Sequence, residues 1–210
     1  MRKNIIIMVL VLILLTGCSV VRIDTSNIDN ILNVVLTKNN KLYNQTGQGY
    51  KYYLPGGVTY IGSDDLNDIL YSNGTYYYLY IDIVNYSYKS KIDYKEDNNM
   101  YYSRFISPEL NDKFKYYGYL EITENDNMYY VKFVYNYAKI EVQTTKESLN
   151  NVILNSSYIL STIKYNDDII NLMLDEDYFT NKTGKYNNYS TDGNSEKFKL
   201  EKENEMVEER

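Results

Sequence analysis

The chain has 210 residues, a formal charge of −6, 27 tyrosines, one cysteine, and neither histidine nor tryptophan. The acidic balance leaves no electrostatic footprint for nucleic acid. Without histidine and with a lone thiol, Ser-His-Asp and Cys-His catalysis, most zinc sites and an internal disulfide are excluded.

Arg2 and Lys3 open the chain, and an unbroken apolar run from Ile5 to Leu15 leads into Leu15-Thr16-Gly17-Cys18. A charged start, a short apolar core and a small-residue exit describe a secretory signal. The run falls well short of the ~20 residues that span hydrocarbon. The segment resembles the lipobox of bacterial lipoproteins, in which signal peptidase cuts before a cysteine that has received a diacylglycerol. The resemblance implies cleavage between Gly17 and Cys18 and lipidation of Cys18. It also implies a place on the extracytoplasmic face of the cell membrane. Two acyl chains hold stably where one holds marginally. Loss of residues 1–17 takes Arg2 and Lys3 with it, leaving 193 residues of charge −8. Anionic headgroups then add nothing, and the acyl chains do the anchoring.

Residues 18–25 read as a lipidated tether, of which Ser19 to Thr25 reaches at most ~25 Å. Ser26 to Asn39 reads as an amphipathic helix. Ile28, Ile31, Leu32, Val35 and Leu36 make one apolar stripe, with Ser26 as N-cap and Asn39-Asn40 as the stop. Tyr43 to Gly49 reads as a loop. In Tyr50 to Leu54, Tyr50, Tyr52 and Leu54 share a face of a strand, and Pro55-Gly56-Gly57 turns the chain back into a partner strand, Val58 to Ile61. In Asp64 to Tyr71, Leu66, Ile69 and Leu70 suit one or two helical turns capped by Ser63. Asn73-Gly74 signals a turn.

Thr75 to Tyr88 reads as the longest strand, with Leu79, Ile81 and Ile83 on one face. Tyr78, Tyr80, Asp82 and Val84 make the other, which reads as half buried because it is aromatic. Lys89 to Asn99 reads as a loop and Tyr101 to Ile106 as a short strand ended by Ser107-Pro108. Tyr116 to Thr123 and Met128 to Tyr137 form a hairpin across Glu124 to Asn127, and Ala138 to Val142 continues the second strand. Thr145 to Leu160 is a second helix, with Thr144 and Glu147 as a capping box and Leu149, Val152, Ile153, Ser156 and Leu160 as its stripe. Ile163 to Tyr165 reads as a last strand. Ile169 to Leu174 is apolar without a clear period, and residues 175–210 are polar and read as a flexible tail.

Hairpins cannot build a parallel sheet, and two amphipathic helices need a sheet face to cover. The chain is therefore expected to be α+β: an antiparallel sheet with an N-terminal and a C-terminal helix packed on it, in one domain over residues 26–174. The order, with Gly49-Tyr50-Lys51-Tyr52-Tyr53-Leu54-Pro55 after the first helix, resembles the PsbP-like α-β-α sandwich. Gly49 to Val58 and Tyr76 to Tyr86 are similar to stretches of uncharacterised lipoproteins from low-GC Gram-positive bacteria. That resemblance implies a location and no activity.

Tyrosine abundance has two readings, an AT-rich coding sequence or a ligand-stacking surface. Tyr50, Tyr52, Tyr76, Tyr78 and Tyr80 are the candidates for a glycan or small ligand. Carboxylates are the only acid-base groups available. Asp64-Asp65, Asp167-Asp168 and Asp175-Glu176-Asp177 are the clusters, and a glycosidase needs two carboxyls across one sugar. Asp175 to Asp177 lacks the spacing of a calcium loop, and no metal or cofactor is expected. Gly47-Gln48-Gly49 and Pro55-Gly56-Gly57 match no phosphate-binding loop and read as turns. The leading expectation is a non-catalytic, membrane-anchored binding or adaptor module for an envelope protein or glycan. A glycan or small-ligand receptor is the alternative, and a carboxylate-dependent hydrolase a second one.

Overall fold

A computed structural model describes residues 23–64 and 66–175. The chain divides into two units, Met1–Lys164 and Tyr165–Arg210. The leader, Gly17, Cys18, the tether up to Arg22, Asp65 and everything after residue 175 lie outside the described residues, with the expectations placed on them.

The fold is α+β. In the first unit, α1 (Ile28–Leu36) is followed by β1 (Gln45–Gly47), β2 (Tyr50–Tyr52), β3 (Thr59–Asp64), β4 (Asn67–Ser72) and β5 (Thr75–Ile81). Then come α2 (Ile83–Tyr88), β6 (Tyr102–Ile106), β7 (Gly118–Asn125), β8 (Met128–Tyr135), β9 (Ala138–Thr145) and α3 (Lys146–Thr162). A two-residue strand, β10 (Lys164–Tyr165), follows α3. The main sheet is antiparallel with strand order β3-β4-β5-β9-β8-β7-β6. β1 and β2 pair antiparallel in a second, smaller sheet.

Three tight turns shape the main sheet. Asn73-Gly74, Asp126-Asn127 and Asn136-Tyr137 each hold two successive residues at positive φ, the twist that two-residue hairpins favour. The last of these reverses the chain between β8 and β9, so Ala138 to Val142 is a new strand and not a continuation. Asn136 explains why the turn tolerates a tyrosine at φ 57°. Its buried amide donates to the carbonyls of Leu160 and Ile163 at 3.2 and 2.9 Å, closing the end of α3.

The inner face of the main sheet is apolar. Leu79 and Ile81 of β5, Ile140 and Val142 of β9, Val131 and Phe133 of β8, and Leu120 and Ile122 of β7 are all buried. α3 lies across β8 and β9 and also touches β2, and α1 packs against α3. The stripe Leu149, Val152, Ile153, Ser156 and Leu160 is buried, as its period predicts. α1 buries Ile31, Leu32, Val35 and Leu36. Arg104 of β6 fixes its outer side, donating to Asp29 at 2.7 Å and to Asn33 at 2.8 Å.

Several local expectations are corrected. The N-cap of α1 is Asn27, which accepts from the Asn30 N–H at 3.1 Å, not Ser26, and the helix ends at Leu36 before Asn39. Gln45–Gly47 is strand, not loop, because it pairs with β2. The Pro55-Gly56-Gly57 turn forms, with Gly57 at φ 87° and Val58 N–H donating to Pro55 O at 3.0 Å. It joins two sheets, however, since β3 pairs with β4 and not with β2. Residues 67–72 are strand, not helix, because two neighbouring strands hydrogen-bond them and bury alternate residues. The strand from Thr75 stops at Ile81, where Asp82 accepts from Asn85 N–H at 2.9 Å and starts α2. α3 begins after Thr145, while Thr144 is a buried β9 residue.

The two outer strands of the main sheet end differently. On β6 the Phe105 N–H donates to the Glu96 carboxylate at 2.7 Å, and the Ser103 hydroxyl accepts from Asp97 N–H at 2.9 Å. On β3 the register slips between Tyr60 and Gly62. In the second unit, α4 (Asp167–Asp175) gives the apolar run at 169–174 a helical form, with Ile170 and Met173 buried one turn apart.

Candidate functional site

The five candidate tyrosines fall into two groups. Tyr76, Tyr78 and Tyr80 alternate along β5 and point to the outer face of the main sheet. Tyr71 of β4 sits opposite Tyr76, with ring centroids 5.0 Å apart. Across the sheet the same face continues as Glu141, Lys132 and Glu121. Lys139 lies 4.4 Å from the Tyr80 ring and pairs with Glu141 at 2.9 Å. Lys132 pairs with Glu121 at 3.4 Å. Towards β6 the face is covered, because Tyr94 stacks on Tyr119 at 4.2 Å with the rings parallel within 1°. Towards β5 it is open, and Tyr76 is half exposed.

Tyr50 and Tyr52 are not on that face. Both are buried, with rings stacked 6.1 Å apart. The Tyr52 hydroxyl donates to Asp68 Oδ2 at 2.7 Å, joining the small sheet to the inner face of β4. Gly47 permits this packing, since a Cβ there would run into the Tyr50 ring. Burial holds the Asp68 carboxyl above the usual range, although hydrogen bonds from Tyr52 and Tyr50 pull it down. The Tyr52 phenol is pushed up, first by burial and then by the Asp68 charge. Asp68 escaped sequence reasoning because its neighbours Leu66, Ile69 and Leu70 fit a helical period. The alternation of Asp68, Leu70 and Ser72 on one face was the signal available.

A second feature sits where α1 and α3 end. The two helices run the same way: Asn150 Nδ2 reaches Ser26 O at 3.4 Å at their starts. Beyond their ends lies an open depression of about 660 Å³, lined by Lys38, Asn39, Asn40, Leu42, Tyr53, Pro55 and Tyr158. None of these residues was a candidate from sequence.

Of the acidic clusters, Asp65, Glu176 and Asp177 lie outside the described residues. Asp64 closes β3, and Asp167 and Asp168 lie in the first turn of α4, where the Asp168 N–H donates to Asn166 Oδ1 at 3.1 Å. Among the described residues no group of three His, Cys, Asp or Glu side chains is placed to hold a metal ion. Among them, too, no helix is long and apolar enough to cross a membrane. No family model matches the chain, and no curated protein or solved structure matches it.

Proposed function

We propose that the chain is a lipid-anchored, non-catalytic binding module on the extracytoplasmic face of the cell membrane. The observation that carries this reading is Leu15-Thr16-Gly17-Cys18 at the end of a short apolar run with Arg2 and Lys3 before it. The lone sulfur takes the diacylglycerol, and the acidic remainder of the chain is held to the bilayer by acyl chains alone. The binding surface is the outer face of the main sheet at β5, where Tyr76, Tyr78 and Tyr80 offer ring faces and hydroxyls in a row. An envelope glycan or an envelope protein is its partner. Tyr50 and Tyr52 take no part, because their rings are buried.

Palmitate labelling and membrane fractionation of the wild type and Cys18→Ala test the anchor. The variant is expected to lose the label and the membrane fraction and to keep its leader. Equal label and retention in both would remove the reading. Pull-down of envelope material by the wild type and by Tyr76→Ala/Tyr78→Ala/Tyr80→Ala tests the surface. An identical set of captured species would exclude that face.

A further inference from the structure

The charge of the chain is unevenly distributed. Residues 30–63 contain Lys38, Lys41 and Lys51 and no Asp or Glu, and residues 148–164 contain Lys164 and no Asp or Glu. The fold brings these two acid-free stretches together where α1 and α3 end. Every residue lining the depression there comes from one or the other. Lys164 Nζ donates to Lys41 O at 2.6 Å and lies 5.8 Å from the Tyr43 ring centre. Lys51 Nζ lies 4.2 Å from the same ring. Lys115 joins from the segment before β7, donating to Asn39 Oδ1 at 2.9 Å. Lys38 thus lines the depression, Lys115 is bonded to Asn39 of its lining, and Lys51 and Lys164 meet at Tyr43, the neighbour of Leu42 in that lining.

Cations near helix C-termini offset the helix dipole. Two helix ends explain two lysines, and four stand at or beside this lining. Lysine is a point-charge ligand for phosphate. The Asn39 and Asn40 amides suit hydroxyl groups, and Tyr53 and Tyr158 offer apolar faces to carbon rings or polyol backbones. Among the described residues no carboxylate lines the depression to repel an anion. Lys38 belongs to the lining while Lys51, Lys115 and Lys164 are held on Tyr43 and Asn39, so the cations are not gathered in one cup, which fits a repeating monoanion better than a single phosphate ion. We propose that this depression binds a polyol-phosphate or sugar-phosphate polymer.

Bilayer phosphate is the other source of this chemistry. The choice against it rests on the anchored reading. The chain would leave the membrane at the start of α1, beside Asp24 and Asp29, and nine helical residues, ~13 Å, separate that end from the lysines.

The test uses the full chain in neutral detergent, titrated with a poly(glycerol phosphate) oligomer, with chitohexaose, and with phosphatidylglycerol vesicles. The oligomer is expected to bind, and its affinity to fall steeply with added salt in the wild type. Lys38→Gln/Lys51→Gln is expected to weaken it by about tenfold or more, and Lys38→Arg/Lys51→Arg to retain most of it. Absence of oligomer binding, equal binding of chitohexaose, binding confined to vesicles, or indifference to salt would each overturn the proposal. The mass of the Cys18 peptide reports separately on the anchor, so failure of one reading is distinguishable from failure of the other.

Discussion

Tyr76 and Tyr77 are adjacent on β5, yet Tyr76 is 50 % exposed and Tyr77 is 2 % exposed. One pleat separates a ring facing water from a ring in the core. The buried ring needs a partner for its hydroxyl, and Asn155 of α3 donates to it at 3.2 Å. Tyr52 meets the same need through Asp68. Tyr77 and Tyr52 thus link layers by burying area and by making a hydrogen bond. The outer ones, Tyr76, Tyr78 and Tyr80, sit among Lys139, Glu141 and Lys132, and the core does not depend on them. Tyrosine richness is therefore two properties in one composition, rings that bridge layers and rings that line the outer face of the sheet.

That contrast can be broken from the inside first. Phe133 is fully buried on the inner face, and Phe133→Ala is expected to cost ~3–5 kcal/mol in urea unfolding. A loss below about 1 kcal/mol would mean that the inner face is not the core. Gly118→Ala is expected to cost roughly 2 kcal/mol, since a Cβ there meets the Val134 carbonyl and the Tyr135 ring across the β7–β8 pair. An unchanged urea midpoint would show that the pair can widen.

Asp68 sharpens the comparison. Asp68→Ala leaves the buried Tyr52 hydroxyl without its acceptor and is expected to cost ~1–3 kcal/mol. Asp68→Asn keeps an acceptor and removes the charge. The folded-state pKa of Asp68 is raised, so its stabilisation is whole below the unfolded value of ~3.9 and is lost as pH rises through the folded value. In that window Asp68→Asn should flatten the fall in stability seen for the wild type. Urea midpoints at pH 4 and pH 7 check this, and parallel slopes for the two chains would count against it. The smallest effect belongs to the outer face. Tyr76→Ser is expected to shift stability by no more than about 0.5 kcal/mol, and a shift of several times that would make Tyr76 part of the core.

Strong periodicity made some of this legible. The stripe from Leu149 to Leu160 buries the residues its spacing nominates, and that from Ile28 to Leu36 buries all but Ile28, which is half-buried. The β7–β8 hairpin was readable from the alternation flanking Glu124 to Asn127, although Glu124 and Asn125 extend β7 and only Asp126-Asn127 form the turn. Where two periods overlap, reading fails. Leu66, Ile69 and Leu70 satisfy a helix, but pairing with β3 and β5 makes the segment a strand. Ile81 and Ile83 continue an alternation across Asp82, although a cap at Asp82 has already started α2. Asn136-Tyr137 lacks the glycine that usually marks such a turn. Of the candidate site, the Tyr76 to Tyr80 row was legible because it is local. The Tyr52–Asp68 bond and the depression at the ends of α1 and α3 were not, because each depends on segments far apart in sequence.

The margins of the main sheet carry one more implication. If the chain is tethered by Cys18, neighbouring copies diffuse in two dimensions at high local density. A bare strand margin would then zip copies into a ribbon. The Glu96 carboxylate occupying the Phe105 N–H, and the slipped register between Tyr60 and Gly62, deny such zipping a flat template on either side. On such a surface the two features would oppose edge-to-edge pairing of crowded copies.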